Sequence, residues 1–243
     1  MARGTQEQLL ALGRKLSKQM DAIAISAPVA YVYNPLNYAD ALVRQYIERY
    51  GAGPKEVLLL GMNPGPFGMG QTGIPFGEVS FVRDYLQITG DVKTPSREHP
   101  KRKVLGLGCT RSEVSGKRLW GAISAKHPNP RTFFERAFVA NYCPLLFLSE
   151  SGSNLTPDKL AKAERKQIED TCDEHLAALI KVTGVRLAIG VGGYAEKRLR
   201  VVLGDSFPVS SIPHPSPASP QANRGWTALA QAALTDAGIS GLL

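Results

Sequence analysis

Four side chains in this sequence carry chemistry that would matter if the fold brought them together: Asn63, Phe76, Asn141 and His214. A carboxamide presents an acceptor oxygen beside an NH2 donor, so Asn141 suits a ligand edge on which donor and acceptor alternate. Phe76 offers a flat apolar face for stacking. His214 offers a donor to negative charge that develops during a reaction. Asn63 cannot take up a proton at neutral pH, so it would position a water rather than deprotonate one. Taken singly, each has an ordinary explanation: a turn residue, a core aromatic, a structural histidine before a proline-rich turn. Their neighbourhoods argue otherwise. Asn63 lies in Gly61-Met62-Asn63-Pro64-Gly65-Pro66-Phe67-Gly68-Met69, and Phe76 in Ile74-Pro75-Phe76-Gly77-Glu78. Asn141 opens Asn141-Tyr142-Cys143-Pro144-Leu145, and His214 opens the long segment His214 to Trp226.

The elements that must position these residues are legible as apolar runs. Val57–Leu60, Ala137–Ala140, Leu187–Val191 and Pro208–Ile212 read as buried strands. Helices are predicted over Gln6–Met20 and Tyr38–Tyr50, then near Gly77–Gln87, Asp158–Val182, Tyr194–Leu203 and Pro220–Ala237. Strands alternating with helices give an α/β fold with right-handed crossovers and a mainly parallel sheet. Ligands of such sheets bind beyond the carboxyl ends of the strands, where Asn63, Asn141 and His214 stand.

The chain has 243 residues, 43% of them apolar and 21% charged, which is ordinary globular composition. No repeat or domain-sized linker interrupts it, so residues 1–243 are expected to form a single domain. No apolar run approaches the roughly 18 residues of a membrane span. Met1 to Gln19 lacks the apolar centre of a signal peptide, so neither secretion nor membrane insertion is expected. Cys109, Cys143 and Cys172 form no C-x-x-C pair, so no metal site and no cofactor are expected. Lys+Arg number 29 against 21 Asp+Glu, a net charge of +8. From Lys93 to Arg118 eight basic residues face two acidic ones, a segment able to neutralise phosphates.

The four motifs together resemble the single-strand-selective monofunctional uracil-DNA glycosylases of the uracil-DNA glycosylase superfamily. They are long, correctly ordered and placed at strand ends. His99-Pro100-Lys101-Arg102 and Ser112-Glu113-Val114-Ser115-Gly116 extend the likeness. The resemblance implies a three-layer α/β fold with a central four-stranded, mainly parallel sheet flanked by helices. It implies a monofunctional base-excision repair enzyme that flips uracil out of DNA and hydrolyses its N-glycosidic bond without a lyase step.

On that reading Asn141 accepts from uracil N3–H and donates to O4, a pairing that cytosine would break. Phe76 stacks on the flipped ring, an interaction worth roughly 1–3 kcal/mol per base. His214 stabilises the leaving anion at O2. Asn63 stands where the most active uracil glycosylases carry aspartate, so it holds water for a dissociative reaction. Gly65 and Met69 line the wall near C5, which implies acceptance of 5-hydroxymethyluracil. Ser216, Pro217, Ala218, Ser219, Pro220, Gln221, Asn223 and Arg224 are expected to meet DNA, with Ser219 capping a helix whose first turn holds Pro220. Many family members have Arg-Asn where this chain has Ala218-Ser219, a smaller wedge without a cation. Lys101, Arg102 and Lys117 are expected to contact phosphates.

The expected partner is single- or double-stranded DNA containing uracil or oxidised thymine derivatives, bound by a monomer. Such an enzyme would be cytoplasmic and nucleoid-associated in a bacterium, or nuclear in a eukaryote. Two other classes compete. Gly190-Val191-Gly192-Gly193-Tyr194-Ala195 fits the G-x-G-x-x-A pattern of a dinucleotide-binding oxidoreductase. The basic segment alone would also suit a non-catalytic nucleic-acid-binding module.

Overall fold

The computed structural model describes residues 4–220 and 222–243. Helix α1 (Thr5–Asp21) turns Leu9, Leu16 and Met20 inward, the 3–4 residue spacing of an amphipathic helix. Strand β1 (Tyr31–Tyr33), the short helix α2 (Pro35–Tyr38) and α3 (Asp40–Tyr50) follow. Strand β2 (Val57–Gly61) is buried throughout. After it come the single turn α4 (Met69–Thr72), α5 (Val114–Lys126) and α6 (Pro130–Phe134). Then come β3 (Ala137–Asn141), β4 (Leu146–Leu148), β5 (Asn154–Leu155) and the long α7 (Lys162–Thr183). The chain closes with β6 (Leu187–Val191), α8 (Gly193–Leu203), β7 (Val209–Ile212) and α9 (Trp226–Asp236).

The central sheet has the order β3-β2-β6-β7, every pair parallel, and helices flank it. Its register aligns Gly61 with Asn141 and Val191 with Ile212, so the last residues of all four strands form one edge. A sheet covered on both faces needs apolar residues at consecutive positions, as in Val57-Leu58-Leu59-Leu60. Strands β1, β4 and β5 make a second, antiparallel sheet in the order β1-β4-β5, which the sequence reading did not anticipate. Among the described residues no helix is long and apolar enough to cross a membrane.

Two predicted helices are corrected in their bounds. The helix predicted near Gly77–Gln87 is present but shorter, covering residues 79–85, with Phe81–Tyr85 wound more widely than an α-helix. The basic segment runs into a helix, since its last residues, Lys117 and Arg118, belong to α5. The helix predicted from Pro220 begins at Trp226, behind a separate 3-10 turn over Ala222–Arg224. Ser219 caps that short turn instead, its Oγ accepting from Ala222 N at 3.4 Å. Gln221 lies outside the described residues.

Candidate active site

A cavity of about 390 Å³ opens at the carboxyl edge of the sheet. Asn63, Gly65, Met69, Phe76, Asn141 and His214 all line it, with Ser216 and Pro217 at its rim. The sheet register and the turns that leave it explain why these residues meet.

Asn141 is the last residue of β3 and pairs with Gly61. Its Nδ2 lies 3.1 Å from the Met69 sulfur, a weak acceptor. Its Oδ1 is buried without a hydrogen-bond partner. Leaving a buried acceptor unmade costs about 1–3 kcal/mol, so the position is poised for a donor from outside. Gly61 makes the arrangement possible: a Cβ there would overlap Asn141 Oδ1 and press on the Phe76 ring.

Phe76 is held in the left-handed backbone region at φ 54°, unusual for a residue with a side chain. Helix α5 enforces this turn. Trp120, fully buried, donates from Nε1 to Pro75 O at 3.3 Å, and a Cβ on Gly116 would overlap the Phe76 carbonyl oxygen. The Phe76 ring sits 6.1 Å from the His214 ring, tilted by 42°.

His214 follows β7, and its Nδ1 accepts from Ser216 N at 3.1 Å. Burial holds its pKa below the ordinary histidine value. Both observations assign a neutral imidazole with its proton on Nε2, the nitrogen free to donate. Gly192 gives the ring its room: φ is 92°, and a Cβ there would sit 3.0 Å from the His214 Cβ. Gly190 lets α8 pack on β6, since a Cβ would overlap Glu196 N. The glycines of the G-x-G-x-x-A match thus serve helix packing and the His214 turn.

Asn63 donates from Nδ2 to Leu145 O across 3.4 Å, which leaves Oδ1 as an acceptor for water. The loop that carries it is fixed from behind. Gly70 N donates to Gly65 O at 2.9 Å, and the buried Gln71 bonds Pro66 O, Lys103 O and Leu105 N. Glu113, which the sequence reading used only as part of a resemblance, lines the same cavity and caps α5 through Gly116 N at 3.3 Å. Burial pushes its carboxyl pKa up. Among the described lining residues, Glu113 is the one carboxylate, and none is a lysine.

The residues expected to meet DNA divide into two kinds. Pro217, Ala218, Pro220 and Arg224 are exposed, Pro217 also lining the cavity, and Lys101 and Lys117 are exposed as well. Asn223 braces the loop instead, donating to Pro217 O at 2.9 Å and accepting from Arg118 at 2.8 Å. Arg118, which the sequence reading did not single out, also donates to Pro215 O at 3.0 Å. Ser216 Oγ accepts from Ala218 N, and Ser219 N donates to Ser216 O. Arg102 and Arg111 lie 5.6 Å and 3.9 Å from the ring centre of Phe67, at the cavity wall. The basic segment therefore borders the opening. Among the described residues no cluster of three or more His, Cys, Asp or Glu could hold a metal ion.

The family model described as the uracil DNA glycosylase superfamily matches residues 48–236. The single-strand selective monofunctional uracil-DNA glycosylase of Rattus norvegicus is 49% identical over 245 residues, covering 100% of this chain and 88% of the relative. The Bos taurus protein of the same description is 50% identical over 232 residues, covering 94% of this chain and 85% of the relative. In fold, the chain is similar to the crystal structure of WT Pedobacter heparinus SMUG2, with a TM-score of 0.72 at 18% identity and 97% coverage of both chains. With most of its length matched by the family model and full-length relatives at about half identity, the chain belongs to the uracil DNA glycosylase superfamily.

Proposed function

We propose that this protein is a monofunctional base-excision glycosylase whose cavity takes a uracil flipped out of DNA and hydrolyses its N-glycosidic bond. The observation that carries the reading is the buried, unpartnered Oδ1 of Asn141, set between an aromatic face and a histidine donor. Uracil N3–H fills that acceptor, and O4 takes the Nδ2 proton now facing the Met69 sulfur. Phe76 stacks on the ring. The neutral His214 donates from Nε2 to O2 as the C1′–N1 bond breaks and its electron pair leaves with the base. A donor already aimed at this charge typically contributes about 3–4 kcal/mol. Water held by Asn63 bonds to C1′ and releases a proton to solvent, and the uracil anion takes up a proton as it leaves. The products are free uracil and an abasic site. With no lysine among the described lining residues, no Schiff base forms and the strand stays intact until alkali treatment.

The place of Gly65 and Met69 in the cavity lining supports acceptance of 5-hydroxymethyluracil, and the exposed tip at Pro217-Ala218 supports contact with the gap left by a flipped base. The basic border supports single- and double-stranded DNA as the partner, bound by a monomer. A panel of oligonucleotides, each with one uracil, 5-hydroxymethyluracil, hypoxanthine or thymine, tests the reading. Alkali-labile cleavage at uracil, retained in excess chelator, is the expected result. Uracil left in place, or activity lost to chelator and restored by metal, refutes it.

A further inference from the structure

We infer that Glu113 is a specificity residue that reads the C5 position of the flipped base, its carboxylate accepting a hydrogen bond from a hydroxyl carried there. This assignment rests on the uracil reading above and extends it to a residue that the mechanism leaves unused.

The orientation of the base follows from two atoms. N3–H points at Asn141 Oδ1, and O4 points at Nδ2, which faces Met69. On a pyrimidine ring C5 adjoins C4 on the side away from N3. A C5 substituent is therefore directed at the wall formed by Met69 and the loop joined to it through the Gly70–Gly65 hydrogen bond. Glu113 covers that wall from the start of α5. Its carboxyl carbon and Oε1 lie 3.6 Å from where a Cβ on Gly65 would stand, and Oε2 fills the place of a Cβ on Gly68. Two glycines of one loop thus make a notch that holds the carboxyl.

The chemistry separates the substituents. The carboxylate already accepts from Gly116 N–H through Oε2 and from Ser115, and Oε1 is the oxygen that lies over Gly65. A hydroxymethyl group donates to Oε1. A hydrogen at C5 leaves room for water to do the same. A methyl brings no proton and would exclude water from Oε1, leaving that oxygen without the donor that water or a hydroxyl supplies.

Capping α5 is a second role for the same side chain, and two variants separate them. Glu113→Asp keeps an excellent helix cap and the charge but withdraws the oxygen by one methylene. Glu113→Met keeps the length and removes the acceptor. Single-turnover rates are measured on oligonucleotides with uracil, 5-hydroxymethyluracil or 5-fluorouracil, with thermal melts as the check on folding. The expected result is a fall of at least fivefold in the hydroxymethyluracil-to-uracil rate ratio in whichever variants fold. The fluorouracil-to-uracil ratio should stay within twofold, because fluorine has no proton to donate. A smaller fall, or an equal fall in both ratios, would overturn the assignment and leave Glu113 as a cap or a spacer. A wild-type protein that excises uracil but not hydroxymethyluracil would overturn the wider substrate range and this role together, while leaving the uracil reading intact.

Discussion

Asn141 carries two polar atoms with different fates, and the difference gives a sharp test. Asn141→Asp replaces the Nδ2 donor by a second acceptor, so uracil O4 would face a carboxylate oxygen. Single-turnover uracil excision should fall by at least 100-fold, and retention of the normal rate would disprove the base-edge assignment. His214 is tested through its leaving group. His214→Leu should lose roughly 100- to 1000-fold on uracil, the range found when one preorganised donor is removed. It should lose less on 5-fluorouracil, whose anion is more stable; equal losses on both bases would mean that the ring only shapes its loop. The protonation state adds a pH signature. The Ser216 amide occupies Nδ1, and burial depresses the folded-state pKa, so the neutral form persists below the ordinary histidine range. The single-turnover rate should stay level from pH 8 to about 6.5, the ordinary histidine value, and fall only at lower pH. A His214-dependent fall centred above pH 7 would contradict a neutral donor.

Helix α5 shows how one element can matter more than any residue it carries into the cavity. Gly116 brings its first turn against the Phe76 carbonyl, and Gly121 lies farther along the same helix, where a Cβ would meet the Phe81 ring at an ordinary contact distance of 3.6 Å. Alanine is favoured over glycine inside a helix by roughly 0.5–1 kcal/mol, so Gly121→Ala should be neutral or stabilising. Gly116→Ala should instead displace the Phe76 turn, lowering uracil excision at least tenfold and the melting temperature as well. Equal behaviour of the two variants would deny the clamp. The four central strands were legible because each is a short apolar run with a turn after it, and the residues beyond their ends could be read with them. Helix α5 was hidden by its setting: Lys117 and Arg118 continue a basic run, and the inward Leu119, Trp120 and Ile123 span only one turn. Strands β1, β4 and β5 hold two or three residues each, too few for an alternation pattern. The left-handed Phe76 and the notch around Glu113 depend on contacts between segments about 40 residues apart in sequence, which no local pattern records. At Ser219-Pro220 the opposite error occurred: a good cap and a good first-turn residue stand before a 3-10 turn, not before α9.

The molecule as a whole couples to its solution in two ways, through a buried histidine and through its surface charge. His175 on α7 lines an apolar cavity of about 90 Å³ with Leu9, Leu16 and Leu179, and burial followed by nearby Lys15 lowers its pKa to about 4. The unfolded chain takes up this proton near pH 6.5 and the folded chain only near pH 4, so stability is full above 6.5 and declines as pH falls toward 4. His175→Leu should flatten the loss of melting temperature over that interval; an unchanged profile would place the acid sensitivity elsewhere. Surface charge governs encounter with the polyanion. Lys101, Lys117 and Arg224 are exposed cations on three separate segments, and if each neutralises one phosphate, each releases condensed counterion when DNA binds. On single-stranded DNA every such contact contributes about 0.7 to the slope of log affinity against log salt. Replacing all three by alanine should therefore reduce the slope by about 2, with the affinity deficit narrowing as salt is raised. Asn141, which chooses uracil over cytosine, ends β3 and carries none of these cations, so the variant should keep its preference for uracil over cytosine at low salt. A salt slope unchanged by the triple replacement would show that the phosphates run elsewhere on the surface, with the arginines around Phe67 as the next residues to test.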